Sequence, residues 1–462
     1  MKLLKLLFAA TLPLLSTSNT FAQKYVGGDI SMLPKYEEAG VAYKDQAGNT
    51  VTDVLAFFKQ EGLNAMRVRL FVDPSKDNDK AVCQDLEYVK TLGKRIKNAG
   101  LKLILDFHYS DTWADPGKQW TPDAWKSLTD EQLNTKIYEY TKDCLEQLTA
   151  AGATPDFIQT GNEISFGMLW GTKAVADGNN TNRCYTNSPA ANWTRFISLL
   201  KQAGKACREV CPEARIIIHS ERTPDTDVLA DFFDRMKTAS LDFDIIGLSY
   251  YPAYHGDLNQ LEAAITTLEN KNYGKDIMVV ETGYSYEWAL SETTFDYRAT
   301  YPYSEEGQRQ FTADLVTMLN KHESVKGLFW WWMEDNGEKG VTDGWWNAAL
   351  YNHKTGQPYA AFYELKNFAN SSTGIQGVKN GRCEDCAWYS MDGRRLASTP
   401  SKSGIYIKNK QKVAFHREKS YFLFLCIRSS NPYLGRTLTG PAGRDSRIGP
   451  EPDPTLISYN YS

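Results

Sequence analysis

Charge of one sign is scarce in this chain: 52 Lys and Arg against 56 Asp and Glu leave a net charge of -4 over 462 residues. No clustered basic face stands out, which excludes the electrostatic footprint of a nucleic-acid partner. Beyond the first residues there is no long uncharged apolar run, so no membrane span is expected in the mature chain. Histidine is rare, six in all, and no His-x-x-His or i, i+4 pair supports a metal site. The eight cysteines stand at 83, 144, 184, 207, 211, 383, 386 and 426. Cys383-Glu-Asp-Cys386 has metal-like spacing, but no second pair completes a tetrahedral site. Cys207 and Cys211 are four apart on a predicted helix, a spacing that packing alone explains. No cysteine precedes Cys83, which argues against a lipid-anchored mature N-terminus.

The start of the chain carries a different signal. Lys2 and Lys5 give a basic head, Leu6 to Leu15 is mainly apolar, and Thr20-Phe21-Ala22 ends in a small residue suited to cleavage. Residues 1–22 therefore read as a secretory signal peptide, too short to span a bilayer. Export makes the cysteines candidates for disulfides, with a pairing the sequence does not give. Aromatic residues make up 13% of the chain, with 12 Trp and 26 Tyr. A large core accounts for some of them; a surplus near strand ends suits flat apolar ligands such as sugar rings.

Eight short apolar runs alternate with helical stretches, the pattern of βα units on a parallel sheet. The runs are Tyr25 to Asp29, Ala65 to Val72, Lys102 to His108, Asp156 to Thr160, Arg215 to His219, Phe243 to Tyr250, Asp276 to Glu281 and Gly327 to Trp332. Helices are predicted over 54–60, 86–98, 130–150, 191–210, 225–237, 258–270 and 305–322, with Gly62 and Gly100 as stops for the first two. The fold class is α/β, a (β/α)8 TIM barrel over 23–370, in which function gathers at the C-terminal strand ends. Those ends are occupied by Arg67 and Arg69, Asp106 and His108, Asn162 and Glu163, His219, Tyr250 and Tyr251, Glu281, and Trp331 and Trp332. Turn formers would suffice if the barrel were only a scaffold.

Two glutamates decide the chemistry. Hydrolysis of a glycosidic bond with retention needs two carboxyl groups about 5–5.5 Å apart. A barrel brings the exits of strands four and seven to opposite sides of one cleft, where Glu163 and Glu281 stand. Asn162, just before the first, can donate to a sugar hydroxyl. Arg67 and Arg69, two apart on one strand face, offer positive charge that keeps a nucleophile ionised; an inward arginine can equally serve only to bridge barrel carboxylates. Tyr250 or Tyr251 can donate to the nucleophile. Glu163 is the candidate whose pKa must rise beside a negative partner. His108, in a dense polar cluster, suits substrate binding.

The residues narrow further. Gly27-Gly28-Asp29-Ile30-Ser31-Met32, Asn64 to Leu70 running on to Asp73-Pro74, Asp106 to Gln119, Thr160-Gly161-Asn162-Glu163-Ile164 and Gly247 to Pro252 resemble glycoside hydrolase family 53, in the clan of retaining (β/α)8 glycosidases. The resemblance spans roughly 25 to 370. It implies an endo-β-1,4-galactanase acting on the galactan side chains of pectin and type I arabinogalactan, with Glu163 as acid/base and Glu281 as nucleophile. It also implies that Arg67, His108, Asn162, Tyr250 and Trp331 surround the reacting sugar; Asp29, at the end of the first run, is a further candidate for substrate binding. Trp345 and Trp346 are candidates for stacking further along the polymer. Some bacterial members carry a calcium loop after strand seven; Thr293 to Thr300 has too few oxygen ligands for one, so no metal or other cofactor is expected. A monomer is expected. Other endo-glycanases of the clan (mannanase, cellulase, xylanase) share the fold-level argument, and a non-catalytic sugar-binding barrel would be expected to lack one of the glutamates.

After residue 370 the character changes. Asn370 to Gly374 reads as a linker. Residues 371–417 read as a small β-rich segment, with short strands around Trp388 to Arg395 and Gly404 to Asn409, resembling the C-terminal sorting segment of proteins exported by Bacteroidetes-type bacteria. That resemblance implies a periplasmic or cell-surface destination in a Gram-negative bacterium. Residues 418–462 are Arg-, Gly- and Pro-rich without periodicity, and are expected to be a non-native tail from a frameshift or read-through. An intact homologous reading frame at the gene end would sink that idea.

Overall fold

A computed structural model of the chain describes residues 23–171, 182–185, 190–338, 340–342, 345–370, 388–390, 404–408 and 411–415. The chain divides into two units, one ending at Ile375 and one opening at Gln376. In the first, β1 (Tyr25–Asp29), β2 (Ala65–Leu70), β3 (Lys102–Phe107), β4 (Phe157–Thr160), β5 (Arg215–Ser220), β6 (Ile245–Tyr250), β7 (Asp276–Thr282) and β8 (Val325–Trp330) pair in sequence order. All pairs are parallel, and β8 returns to β1 to close the barrel.

Each strand is followed by a helix: α1 (Val54–Gln60), α2 (Leu86–Asn98), α3 (Asp130–Ala150), α4 (Ala190–Val210), α5 (Thr226–Thr238), α6 (Leu258–Lys271), α7 (Glu305–Leu319) and α8 (Ala360–Asn370). Their starts follow from local chemistry. Asp53, Asp85, Asp225 and Asp257 each accept an otherwise orphaned backbone N–H from the first turn of their helix, and Thr129 forms a reciprocal capping box with Gln132. Such caps stabilise a helix start by about 1 kcal/mol each. Gly62 (φ 96°) and Gly100 (φ 72°) take the left-handed conformation just past α1 and α2, the stop that glycine adopts without steric cost.

Strand alternation sorts the barrel interior into layers. Ala65, Ile104, Phe157, Ile217, Ile245, Met278, Val280 and Phe329 pack together as an apolar floor, with Tyr25 against it. Alternate residues point outward to the helices, among them Val68, Leu105, Ile158, Ile218, Ile246 and Leu248, and these belong to the main core. One step above the floor the inward positions turn polar: Arg67, Asp106, Gln159 and His219 are all fully buried. The floor holds the barrel shut, and the polar layer above it carries the site.

Several strand ends differ from expectation: β2 stops at Leu70 rather than Val72, β3 at Phe107 rather than His108, and β5 and β7 each run one residue further, to Ser220 and Thr282. The eighth strand runs Val325–Trp330, two residues earlier than predicted, so Trp331 and Trp332 open the loop beyond it. The register between β6 and β7 shifts at the end: Leu248 faces Val279, but Ser249 faces Glu281. The extra residue in β7 is a bulge, which re-aims the side chains after it.

The cysteine expectation is corrected. Cys83, Cys144, Cys184, Cys207 and Cys211 are free thiols. All but Cys83 are buried in the apolar core, where a thiol packs as a small hydrophobe. Cys383, Cys386 and Cys426 lie outside the described residues, as do the predicted signal peptide over 1–22 and the predicted tail over 418–462. In the second unit β9 (Trp388–Tyr389), β10 (Gly404–Lys408) and β11 (Gln411–Phe415) form an antiparallel sheet in the order β11-β10-β9.

Candidate active site

Arg67 is the hub of the polar layer. It is fully buried, and its guanidinium reaches Asp29 Oδ2 at 3.1 Å, Asp106 Oδ2 at 2.7 Å, Asn162 Oδ1 at 2.8 Å and Glu281 Oε1 at 2.8 Å. A buried arginine is tolerable only when carboxylates compensate it, and removal of one partner leaves an uncompensated charge. Arg69 lies beside it, donating to Asp29 Oδ1 at 3.0 Å and to the Ala81 carbonyl at 3.2 Å. Asp29 therefore spends both oxygens on arginines, with Ser31 N–H also on Oδ1. Asp29, expected as a substrate contact, thus has both oxygens engaged by the guanidinium groups that it orients.

Glu281 owes its direction to the bulge in β7. Strict alternation from Met278 and Val280, both in the floor, would send it outward; the extra residue turns it inward beside Arg67. Its second oxygen, Oε2, accepts from the Tyr251 hydroxyl at 2.9 Å. Burial raises its pKa to about 7, with Arg67 and Tyr251 pulling it down against Asp106 and Asp29. Burial and the charge of Glu281 hold the Tyr251 phenol well above its ordinary pKa, so it remains a donor. Burial pushes Asp106 up as well, but Arg67 and His108 outweigh it, and its carboxyl sits below the ordinary range.

Glu163 follows a tight turn after β4. Gly161 has φ 114° and Glu163 itself φ 48°, a left-handed conformation uncommon for a residue with a side chain. A β-carbon on Gly161 would come within 2.7 Å of Ile164, which fixes glycine there. Glu163 Oε1 accepts from Ser249 Oγ at 2.6 Å, while Oε2 takes no hydrogen bond from a described residue. Among the described residues no cation pairs with it. Burial, then Glu281, then Glu221 push its pKa well above the ordinary carboxylate value, against the pull of Ser249. One cleft thus holds a carboxylate with a cation and a carboxylate without one.

The remaining predicted residues fall in different places. His108 is buried, its Nδ1 accepts from Ala114 N at 3.0 Å, and its Nε2 lies 3.1 Å from Asp106 Oδ2. Asn162 donates to the Ala114 carbonyl at 2.8 Å, leaving one amide hydrogen unspent. Trp331 stacks on Trp332 at 5.2 Å and lies over Arg67 and Arg69. Trp345 packs on Tyr251 at 5.3 Å, bordering the Glu281 side of the cleft. Trp346 stands farther out, edge-on to the exposed Trp288 at 4.6 Å.

Tyr250 is a correction. It shares the outward face of β6 with Ile246 and Leu248, lies against Phe311 of α7, and donates to the Gly256 carbonyl at 3.0 Å. Period-two alternation puts it behind the barrel wall; Tyr251, just past the strand, reaches Glu281. The same alternation would have exposed Ser249, which the sequence reading missed. Gln119, donating to the Asn162 carbonyl at 2.7 Å, was also missed as a support for the β4 exit. Among the described residues, no group of three or more His, Cys, Asp or Glu is arranged to hold a metal ion.

Residues 25–364 match the family model described as Glycosyl hydrolase family 53. The chain belongs to glycosyl hydrolase family 53. An uncharacterised protein of Niallia circulans is 36% identical to this family-53 chain over 74% of it and 93% of the relative. The arabinogalactan endo-β-1,4-galactanase A of Emericella nidulans is 33% identical, covering 72% of this chain and 92% of that one. Among solved structures, the family-53 catalytic domain of Ignisphaera aggregans superimposes with a TM-score of 0.64 at 31% identity, covering 75% of this chain and 96% of that domain. The chain is a glycoside hydrolase.

Proposed function

We propose that this enzyme is an endo-β-1,4-galactanase that cleaves the galactan side chains of pectin and type I arabinogalactan with retention of configuration. The observation that carries the mechanism is the unequal pairing of the two carboxylates. Glu281, beside Arg67 and Tyr251, is the first of the pair to ionise. Its ionised form attacks the anomeric carbon. Glu163, buried, facing the charge of Glu281 and with no cation paired to it among the described residues, keeps its proton. It gives that proton to the glycosidic oxygen as the bond breaks, and the galactosyl unit passes to Glu281. Glu163, now ionised, takes a proton from water, which displaces Glu281 and restores the original anomer. As the negative charge of Glu281 is lost on covalent bonding, the pKa of Glu163 falls, which suits its change from acid to base.

The two carboxylates provide nucleophile, acid and base themselves. The substrate identity is supported by the galactanase of Emericella nidulans and by the motifs around each carboxylate. On this reading the polymer is extracellular, residues 1–22 direct export, and residues 371–417 act in sorting to the periplasm or surface of a Gram-negative cell. Among the described residues no helix is long and apolar enough to cross a membrane. The protein acts as a monomer, with Trp331 next to the reacting sugar and Trp345 and Trp346 along the chain.

Incubation with galactan, mannan and xylan, with products sized over time, tests the proposal. Short β-1,4-galacto-oligosaccharides from galactan alone are expected, with the first-formed reducing ends β by proton NMR. Cleavage of mannan or xylan instead overturns the substrate; α-anomers overturn retention.

A further inference from the structure

Two fully buried side chains of the polar layer, His219 on β5 and Ser249 on β6, join the backbone of Glu163 to its carboxylate. The Glu163 N–H points at His219 Nδ1 at 3.2 Å, His219 Nε2 lies 2.9 Å from Ser249 Oγ, and Ser249 Oγ lies 2.6 Å from Glu163 Oε1. From these contacts, and resting on Glu163 as the acid/base, we infer that His219 and Ser249 are positioning residues that confine the catalytic proton to Glu163 Oε2.

The direction of each hydrogen bond follows from one fixed donor. A backbone N–H can only donate, so His219 Nδ1 must carry a lone pair. Gln159 Nε2, 3.1 Å from the same atom, is a second donor available to it. Asn162 Oδ1 is also 3.0 Å from Nδ1. That amide is oriented by Arg67, which donates to Oδ1, and by the Ala114 carbonyl, which accepts from Nδ2, so it does not require a proton on Nδ1. A neutral imidazole with a bare Nδ1 carries its hydrogen on Nε2. Burial holds His219 neutral, with Arg67 and His108 acting in the same sense and Asp106 opposing. Nε2–H therefore donates to Ser249 Oγ, and the single hydroxyl hydrogen of Ser249 turns to Glu163 Oε1.

An oxygen already receiving a hydrogen is a poor place for another. When Glu163 is protonated its hydrogen sits on Oε2, the oxygen left free for the glycosidic oxygen. As the C–O bond breaks, its electron pair goes to the leaving oxygen, which takes the hydrogen from Oε2. Ser249 keeps its bond to Oε1 throughout, and the tautomer of His219 never changes.

Selective 15N-histidine labelling tests the tautomer in the unaltered enzyme, with the His219 signals assigned by their loss in His219→Gln. A protonated Nε2 and a bare Nδ1 are expected across the active pH range; a protonated Nδ1 overturns the inference. Kinetics test the steering. Ser249→Ala should lower kcat/KM on galactan about ten- to hundredfold, and change it less than about twofold on a dinitrophenyl β-galactobioside, whose leaving group needs no proton. His219→Leu should show the same split, and His219→Gln, which restores a donor to Ser249, should recover galactan cleavage. Equal losses on both substrates, or undiminished galactan cleavage by Ser249→Ala, overturn the steering role. Glu163→Gln run beside them separates the readings: if it still cleaves galactan, the acid/base assignment fails, whereas its inactivity beside a fully active Ser249→Ala removes the steering alone.

Discussion

The exits of β7 and β4 face the same cleft and each presents one glutamate, but their surroundings are built oppositely. At β7 a fully buried arginine and a phenol converge on Glu281, so charge there is compensated. At β4 a serine hydroxyl backed by a neutral imidazole meets Glu163, so charge there is merely tolerated. Two identical side chains are thus assigned different work by what touches them. The general lesson is that the partner set, not the residue type, separates nucleophile from acid.

The largest test of that contrast is removal of each carboxylate. Glu281→Gln should lower kcat on every substrate by on the order of 10⁴-fold or more, since no covalent intermediate can form. Glu163→Gln should lose about 10²- to 10⁴-fold on galactan, yet still release dinitrophenolate from an activated galactobioside in a rapid first turnover. Stopped-flow absorbance distinguishes them. A burst from Glu281→Gln would reverse the assignments.

Next in size is the cation. Arg67→Met leaves Asp29, Asp106 and Glu281 without their common partner, and breaking such buried pairs costs about 3–5 kcal/mol, measurable by denaturant unfolding. Because Arg67 lowers the Glu281 pKa, its loss moves the acidic limb of kcat/KM upward from about 7. Arg67→Lys should restore most of the charge effect while losing the fork that reaches several oxygens at once. An acidic limb that stays in place in Arg67→Met would show that Arg67 is only structural.

The adjacent tyrosines give a smaller and more local test. Tyr251→Phe removes the donor to Glu281 and should reduce turnover about tenfold or more, the worth of a hydrogen bond to a charged group. Tyr250→Phe should cost about 1 kcal/mol of stability through its lost bond to Gly256 and leave kinetics unchanged. Reversed outcomes would restore Tyr250 to the site.

That pair also shows where the sequence could be read and where it could not. The barrel was legible because eight apolar runs and their capped helices repeat one pattern, and both glutamates because they follow runs four and seven. Period two also sufficed to turn Tyr250 outward and Ser249 inward once the limits of β6 were known. Glu281 was harder, since alternation alone sends it to the helix side; the bulge that corrects it leaves no composition signal. The Arg67 network joins β1, β2, β3, β7 and the β4 exit, and such convergence exists only after the sheet closes. Free thiols, likewise, could not be told from disulfide partners by export alone, because geometry decides whether two sulfurs meet.

The smallest expected effect probes the β4 side from behind. Glu221, just past β5, is 7% exposed and accepts from Ser165 on Oε1, with Arg222 Nε 3.3 Å from the same oxygen. Burial raises its own pKa, and Arg222 and Ser165 offset part of that. Its negative charge in turn raises the pKa of Glu163. Glu221→Gln keeps an acceptor for Ser165 but removes the charge, so the ionised form of Glu163 becomes easier to reach. The basic limb of kcat/KM, which reports protonated Glu163 in the free enzyme, should then move to lower pH, while the acidic limb set by Glu281 stays where it was. Movement of both limbs together would mean that the two exits are not electrically separate. A fixed basic limb would mean that Glu221 is already protonated where Glu163 titrates, leaving burial and Glu281 to hold the proton on the acid.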